Sequence, residues 1–284
     1  MSARRLVLML AAVAALPALA LADGLERAAG KALFDRLWVA APSSTLANDG
    51  LGPLFIEKSC ASCHMGKAFA GQMSVAGDGT VIARGLATRL GNTAGTGDPL
   101  YGRQIQPRAV HGLASEGTVS YHVAPGEPTR PDFAPAFGAL AATTLAGIGR
   151  IGLVDEAAIL TGADPDDRDG DGVRGRARIL ADGSVGRYGW KASAATLDQQ
   201  VADAFMLDIG LSSPLAPPPA GDCTTAETAC LAAPDGRDAS FDGEEVSRQM
   251  VGLITAYLDG LPAPNVPTGS DAGAALFASA GCAS

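Results

Sequence analysis

Cys60-Ala61-Ser62-Cys63-His64 is the stretch whose reading decides what the rest of the chain has to do. Two thiols three positions apart, with an imidazole directly behind them, form a C-x-x-C-H attachment sequence. Each thiol adds to a haem vinyl group, and the imidazole becomes the proximal iron ligand. The spacing lets one helical turn hold porphyrin and iron together. Two other readings compete for the same residues. A thioredoxin-like redox pair would want a βαβ context, which the flanking sequence lacks, and half of a zinc site would want a second ligand pair.

The N-terminus suits a chain exported to acquire such a group. Arg4 and Arg5 precede an apolar run from Leu6 to Leu21, and Ala20-Leu21-Ala22 stands just before Asp23, the order of a secretory signal. Cleavage is expected after Ala22, giving residues 1–22 as the signal and a periplasmic mature protein. The run contains Pro17 and is shorter than the roughly 20 apolar residues of a spanning helix, so a retained anchor is the second reading. No other stretch is a membrane candidate. Cleavage removes two arginines and no acids from a chain of 21 basic and 30 acidic residues, which brings the net charge near −11 and argues against nucleic acid as a partner. The length suits one large domain, or one and part of another. With 36 Gly and 18 Pro, much of the chain should be irregular and in need of a cofactor or cross-link.

Helical signals are short: Gly52 to Ser59 is a brief apolar turn, and Asp155 to Leu160 is another. A better helix starts at Thr196, where Thr196 and Gln199 form a T-x-x-Q capping box, Leu197, Val201, Ala204 and Phe205 share a face, and Gly210 ends it. The strongest runs from Gly243 to Leu258, with Val246, Met250, Leu253, Ile254, Tyr257 and Leu258 at helical spacing. Strand signals are confined to Gly117 to Val123 and to a hairpin turned at Asp182-Gly183. The expected fold is mainly α with long irregular loops: cytochrome c-like haem domains with minor β hairpins. Proline-rich connectors at 214–219 and 262–267 place one haem domain over 23–267 and the start of a second over 268–284.

An internal repeat supports that boundary. Leu54-Phe55, four residues, then Cys60-Ala61-Ser62 is matched by Leu276-Phe277, four residues, then Cys282-Ala283-Ser284. Cys282 therefore reads as the opening of a second attachment motif, interrupted where Cys-His would follow; the other reading is a free surface thiol. Cys223 and Cys230 suit a small disulfide-closed loop in an oxidising compartment, with a metal role as the lesser reading. Asp167, Asp169 and Asp171 fall at positions one, three and five of a calcium loop, but position twelve is Arg178, so a merely solvated acidic loop competes with calcium. His111 and His122 are candidate distal haem ligands, as are the thioethers of Met65, Met73, Met206 and Met250, although Met250 suits a core position better.

Together these residues resemble a known family, the bacterial di-haem c-type oxidoreductases of domain of unknown function 1111, also labelled di-haem peroxidases or thiol oxidoreductases and related to bacterial di-haem cytochrome c peroxidases. The matching stretches are Gly52-Pro53-Leu54-Phe55 with the first haem motif, Tyr101 to Gln106, Glu116-Gly117, Asp164 to Gly175, Gly186 to Ala192, and Gln200 to Gly210. The resemblance implies two haems, one meeting peroxide while the other passes electrons received from a small soluble cytochrome or cupredoxin. It implies a tryptophan between the haems, for which Trp190 stands, with a hairpin packing role as the alternative. A glutamine ten residues on is matched by Gln200, and a following acid by Asp208, at shorter spacing than in the peroxidases. Gln106 and Glu116 have the ten-residue separation but precede the tryptophan, so both pairs stay open as the groups that move a proton between peroxide oxygens. Gln200 and Asp208 also fit a solvated helix face. No second His is present for a C-terminal haem, so this stretch alone is expected to be a poor peroxidase. A pure electron-transfer cytochrome and a thiol oxidoreductase using Cys60 and Cys63 are the rival functions.

Overall fold

A computed structural model describes residues 22–64, 73–83, 85–91, 97–122, 136–265 and 269–282. The expected signal, apart from its last residue, lies outside them, as do Met65, the boundary at 267 and 268, and Ala283-Ser284 of the repeat. Two compact units divide the chain, one of Met1–Leu145 with Val201–Tyr257 and one of Ala146–Gln200 with Leu258–Ser284.

In the first unit, local pattern does not announce helix α1 (residues 22–35), because one position of its buried stripe is a glycine. Gly30, Leu33, Phe34 and, beyond the helix, Trp38 face inward at helical spacing. A Cβ on Gly30 would collide with the Leu253 carbonyl and the Tyr257 Cβ, so backbone meets backbone there, and the Phe34 and Tyr257 rings follow at 5.4 Å. Glycine is what permits the approach. Gly30→Ala should therefore lower stability by about 1–3 kcal/mol through overpacking, although alanine is the better helix former; a thermal melt showing equal or greater stability would disprove this contact. Below it, Trp38 meets Phe205 edge-on at 5.8 Å, both almost fully buried.

Phe205 belongs to a continuous helical passage: α4 (Leu197–Ala204) runs into a π-helical turn, Phe205–Ile209, and stops at Gly210 in the left-handed conformation. The stop is the one expected, and at the other end Thr196 Oγ1 accepts from Gln199 N at 3.2 Å, half of the expected capping box. Helix α6 (Arg248–Asp259) begins later than Gly243. Glu245 and Val246 are engaged instead with Ser212, whose N–H donates to Glu245 Oε2 at 2.7 Å and whose carbonyl accepts from Val246 N at 3.0 Å.

The expectation of a mainly α, cytochrome c-like fold is overturned. Alongside short helices the described residues form seven strands in three small antiparallel sheets, so the fold is mixed. β1 (Leu54–Phe55) pairs with β6 (Arg108–Ala109), β2 (Met73–Val75) with β3 (Val81–Ala83), and β4 (Leu86–Gly91) lies between β5 (Gln104–Ile105) and β7 (Ala136–Ala141). The longest ladder joins Leu-Ala-Thr-Arg-Leu-Gly to Ala-Phe-Gly-Ala-Leu-Ala. Those segments are rich in Ala and Gly and pair across some fifty residues (Thr88 with Ala139), which leaves no local strand signature.

The second unit holds α3 (Glu156–Thr161), capped by the Asp155 carboxylate on Ala157 N at 2.9 Å. The expected hairpin is present: Ile179 bridges Val185 around Asp182-Gly183, with Gly183 at φ 86°. Helix α7 (Asp271–Ser279) is exposed throughout, including Leu276 and Phe277.

Candidate functional site

Ser59 starts the motif. Its Oγ caps α2 (Cys60–Cys63) by accepting from Ser62 N at 3.1 Å, and His64 N closes the turn on the Cys60 carbonyl at 3.0 Å. The stretch leading in is pinned to the π-helical turn, since Gly52 N donates to the Ile209 carbonyl and Ile56 N to the Asp208 carbonyl. Gly85, at φ 60°, lies against the motif so closely that a Cβ would stand 2.6 Å from Cys63 Sγ.

His64 Nδ1 lies 2.9 Å from the Thr143 carbonyl oxygen. A carbonyl oxygen only accepts, so the contact assigns the ring proton to Nδ1 and leaves the lone pair of Nε2 free to bind a metal. The Phe34 ring lies 6.3 Å away, tilted by 44°. Burial, with the nearby Asp208 charge, pushes both the Cys60 and Cys63 thiols up to about 12. Such thiols are poor nucleophiles at neutral pH.

Asp208 is tied to the stretch before this turn, its carbonyl accepting from Ile56 N and Glu57 N. Burial raises its carboxyl, while Arg89 and a hydrogen bond from Gln104 Nε2 at 3.0 Å draw it back. The Arg89 guanidinium is 3.9 Å from Asp208, and its Nε is buried without a hydrogen-bond partner. Gln104 and Gln106, both buried, donate through Nε2 to the same Leu207 carbonyl at 2.8 Å. Those bonds orient both amides and leave each Oε1 buried and unpartnered. Glu116 closes the group: its N–H donates to the Gln106 carbonyl at 3.2 Å, and its Oε2 accepts from Gln106 N. Burial first, opposed by the Gln106 N–H and reinforced by Glu227 and Asp222, raises the Glu116 carboxyl to about 9.

Of the two pairs left open by sequence, Gln106 and Glu116 are therefore in direct hydrogen-bond contact, and Asp208 keeps company with Gln104 rather than Gln200. Gln200 belongs to the second unit, where its Oε1 crowds Gly189, and Trp190 is 64% exposed there on a loop. His111 and His122 are exposed, and His122 Nδ1 lies 3.4 Å from Thr80 Oγ1. Met206 is buried with its sulfur accepting from Arg103, and Met250 is half-buried on α6. Cys223 forms a disulfide with Cys230, which lies on α5 (Thr228–Leu231), and Cys282 is free and exposed. The carboxylates of Asp167, Asp169 and Asp171 come within 4.8 Å of one another and also accept from loop N–H groups of Gly172, Asp171 and Val173.

Thr143, Arg89, Gln104 and Glu227 were not singled out by sequence. Gln104 has a local sign, its two-residue alternation with Gln106 on one strand face; Thr143 acts through its backbone and has none. Compared with family models, curated proteins and solved structures, the chain matches none.

Proposed function

We propose that the chain is an exported c-type haem oxidoreductase of peroxidase type, receiving electrons from a small soluble cytochrome or cupredoxin. The observation that carries this reading is the His64 tautomer: a C-x-x-C-H turn whose imidazole is tied through Nδ1 to the Thr143 carbonyl presents Nε2 as a ligand. Cys60 and Cys63 would hold the porphyrin by thioethers and His64 would hold the iron; when bound, the haem supplies the electrons that reduce an oxidant. The raised thiols speak against free-thiol chemistry. The disulfide supports export to an oxidising compartment, and among the described residues no helix is long and apolar enough to cross a membrane.

The chain's own part in peroxide reduction falls to Gln104, Gln106 and Glu116. An unpartnered amide oxygen accepts the hydrogen of a peroxide hydroxyl, and Glu116 holds a proton through the neutral range to give to the departing oxygen. A pyridine haemochrome assay on protein made with the c-type maturation machinery, followed by peroxide titration of the reduced form, tests the reading. Covalent haem with catalytic oxidation by peroxide is the expected result. Covalent haem indifferent to peroxide leaves an electron carrier, and no covalent haem refutes both.

Calcium remains the ion proposed for Asp167, Asp169 and Asp171. Calorimetry should show binding in the weak range, about 10⁻⁴–10⁻³ M, since Asp169 and Asp171 are exposed and the set lacks the closing acid; heat unchanged after Asp167→Ala with Asp169→Ala would remove the proposal.

A further inference from the structure

We propose that Gly85 is a positioning residue for the proximal haem ligand: by leaving room for the Cys63 backbone it keeps the His64 ring on the Thr143 carbonyl and so lowers the reduction potential of the iron. The inference rests on haem attachment at Cys60, Cys63 and His64 and adds the part of the fold that governs the ligand. Both contacts come from one end of the β4–β7 ladder. Leu86 opens β4 opposite Ala141, which closes β7. Gly85 directly precedes Leu86, and Thr143 follows Ala141 by two residues, so the sheet end reaches the motif from two strands.

Room is the reason for glycine. A Cβ at residue 85 would stand 2.6 Å from Cys63 Sγ, 2.7 Å from its Cβ and 2.9 Å from its Cα. Turning the thiol away relieves the first of these, but the approach to Cα is relieved only by moving backbone. β4 is badly placed to yield, because it is held between β5 and β7 and Thr88 Oγ1 meets Tyr121 OH at 2.6 Å. Entry to the motif is held as well, by Ile56 N on the Asp208 carbonyl at 2.9 Å and by the Ser59 cap. Displacement therefore passes to Cys63 and to the next residue, His64, whose Nδ1 contact with the Thr143 carbonyl at 2.9 Å ties down the exit of the motif. An imidazole that donates from Nδ1 to a carbonyl is the more basic ligand, and a more basic ligand favours ferric over ferrous iron.

Spectroelectrochemical titration of the covalently loaded holoprotein tests this, with the mass of the haem peptide confirming both thioethers. Gly85→Asn adds a Cβ yet suits the left-handed φ of 60°, a region asparagine adopts more readily than most side-chain-bearing residues. Gly85→Ala, with the smallest added group, takes its place if asparagine prevents folding. Either should raise the midpoint potential. Gly183→Asn is the control: its φ is 86° and no described atom beyond its chain neighbours lies within 4 Å of a Cβ there, so the midpoint should keep the wild-type value. A midpoint unmoved in a folded residue-85 variant bearing both thioethers overturns the proposal, as does an equal shift in Gly183→Asn. Wild type without covalent haem removes the reading beneath it, whereas loaded wild type beside an unmoved variant removes only the role of Gly85.

Discussion

Protein carrying Cys60→Ser and Cys63→Ser should contain no covalently bound haem, whereas wild type made with the same maturation machinery carries it on the peptide that includes residue 60. Serine nearly matches cysteine in size and preserves the turn capped by Ser59, but its oxygen does not form the thioether to a haem vinyl group. The loss should be complete rather than graded, and the pyridine haemochrome band of haem that resists acid extraction reads it directly. His64→Gly should retain attached haem in part while losing its axial ligand, and so separates attachment from coordination. Cys282→Ser should leave attachment at Cys60 untouched, because that residue is exposed and stands in a different unit. A haem adduct persisting in the double serine variant, or absent from wild type, would remove the basis of the functional reading.

The second large effect is expected at Glu116. Glu116→Gln should cut peroxide turnover about 10²- to 10⁴-fold, the range typical of removing a positioned proton donor, with haem content unchanged. The form that donates is the protonated one, so wild-type turnover should hold through the neutral range and fall as pH rises through about 9. Stability follows the same group. Folding retains a proton that the unfolded chain releases at its ordinary pKa near 4.5, so this contribution is whole below pH 4.5, declines across the neutral range and is lost as pH rises through about 9. Glu116→Gln removes that dependence, and its melting temperature should vary less between pH 5 and 9 than that of wild type. Equal slopes in the two proteins would show that Glu116 is ionised like a surface carboxylate.

Chemistry written in consecutive residues was legible before any folding was known. The cysteine and histidine spacing at residues 60 to 64, the cap at Thr196, the stop at Gly210 and the Asp182-Gly183 turn are each decided within a few residues by bond geometry and local hydrogen bonding. Chain class was not legible in the same way. Helix α1 hides behind Gly30, whose place in the stripe is justified only by the Leu253 carbonyl opposite it, and β4 finds its partner β7 across a long excursion. A resemblance-based search for the glutamine and acid could offer two pairs but not choose, because Gln106 meets Glu116 through its backbone N–H and carbonyl, which carry no signature of the residue type.

The sequence by itself determined the attachment motif, the acidic balance and the local turns, since covalent chemistry and short-range conformational preference act between neighbours along the chain. Only the tertiary structure decided the proton position on His64, the buried unpartnered oxygens of Gln104 and Gln106, and the burial that raises the Glu116 carboxyl. Tautomer and protonation state are set by the few groups within hydrogen-bond reach and by how far water is excluded, and those groups come from residues 64 and 143, or 104 and 208, that nothing in the linear order brings together.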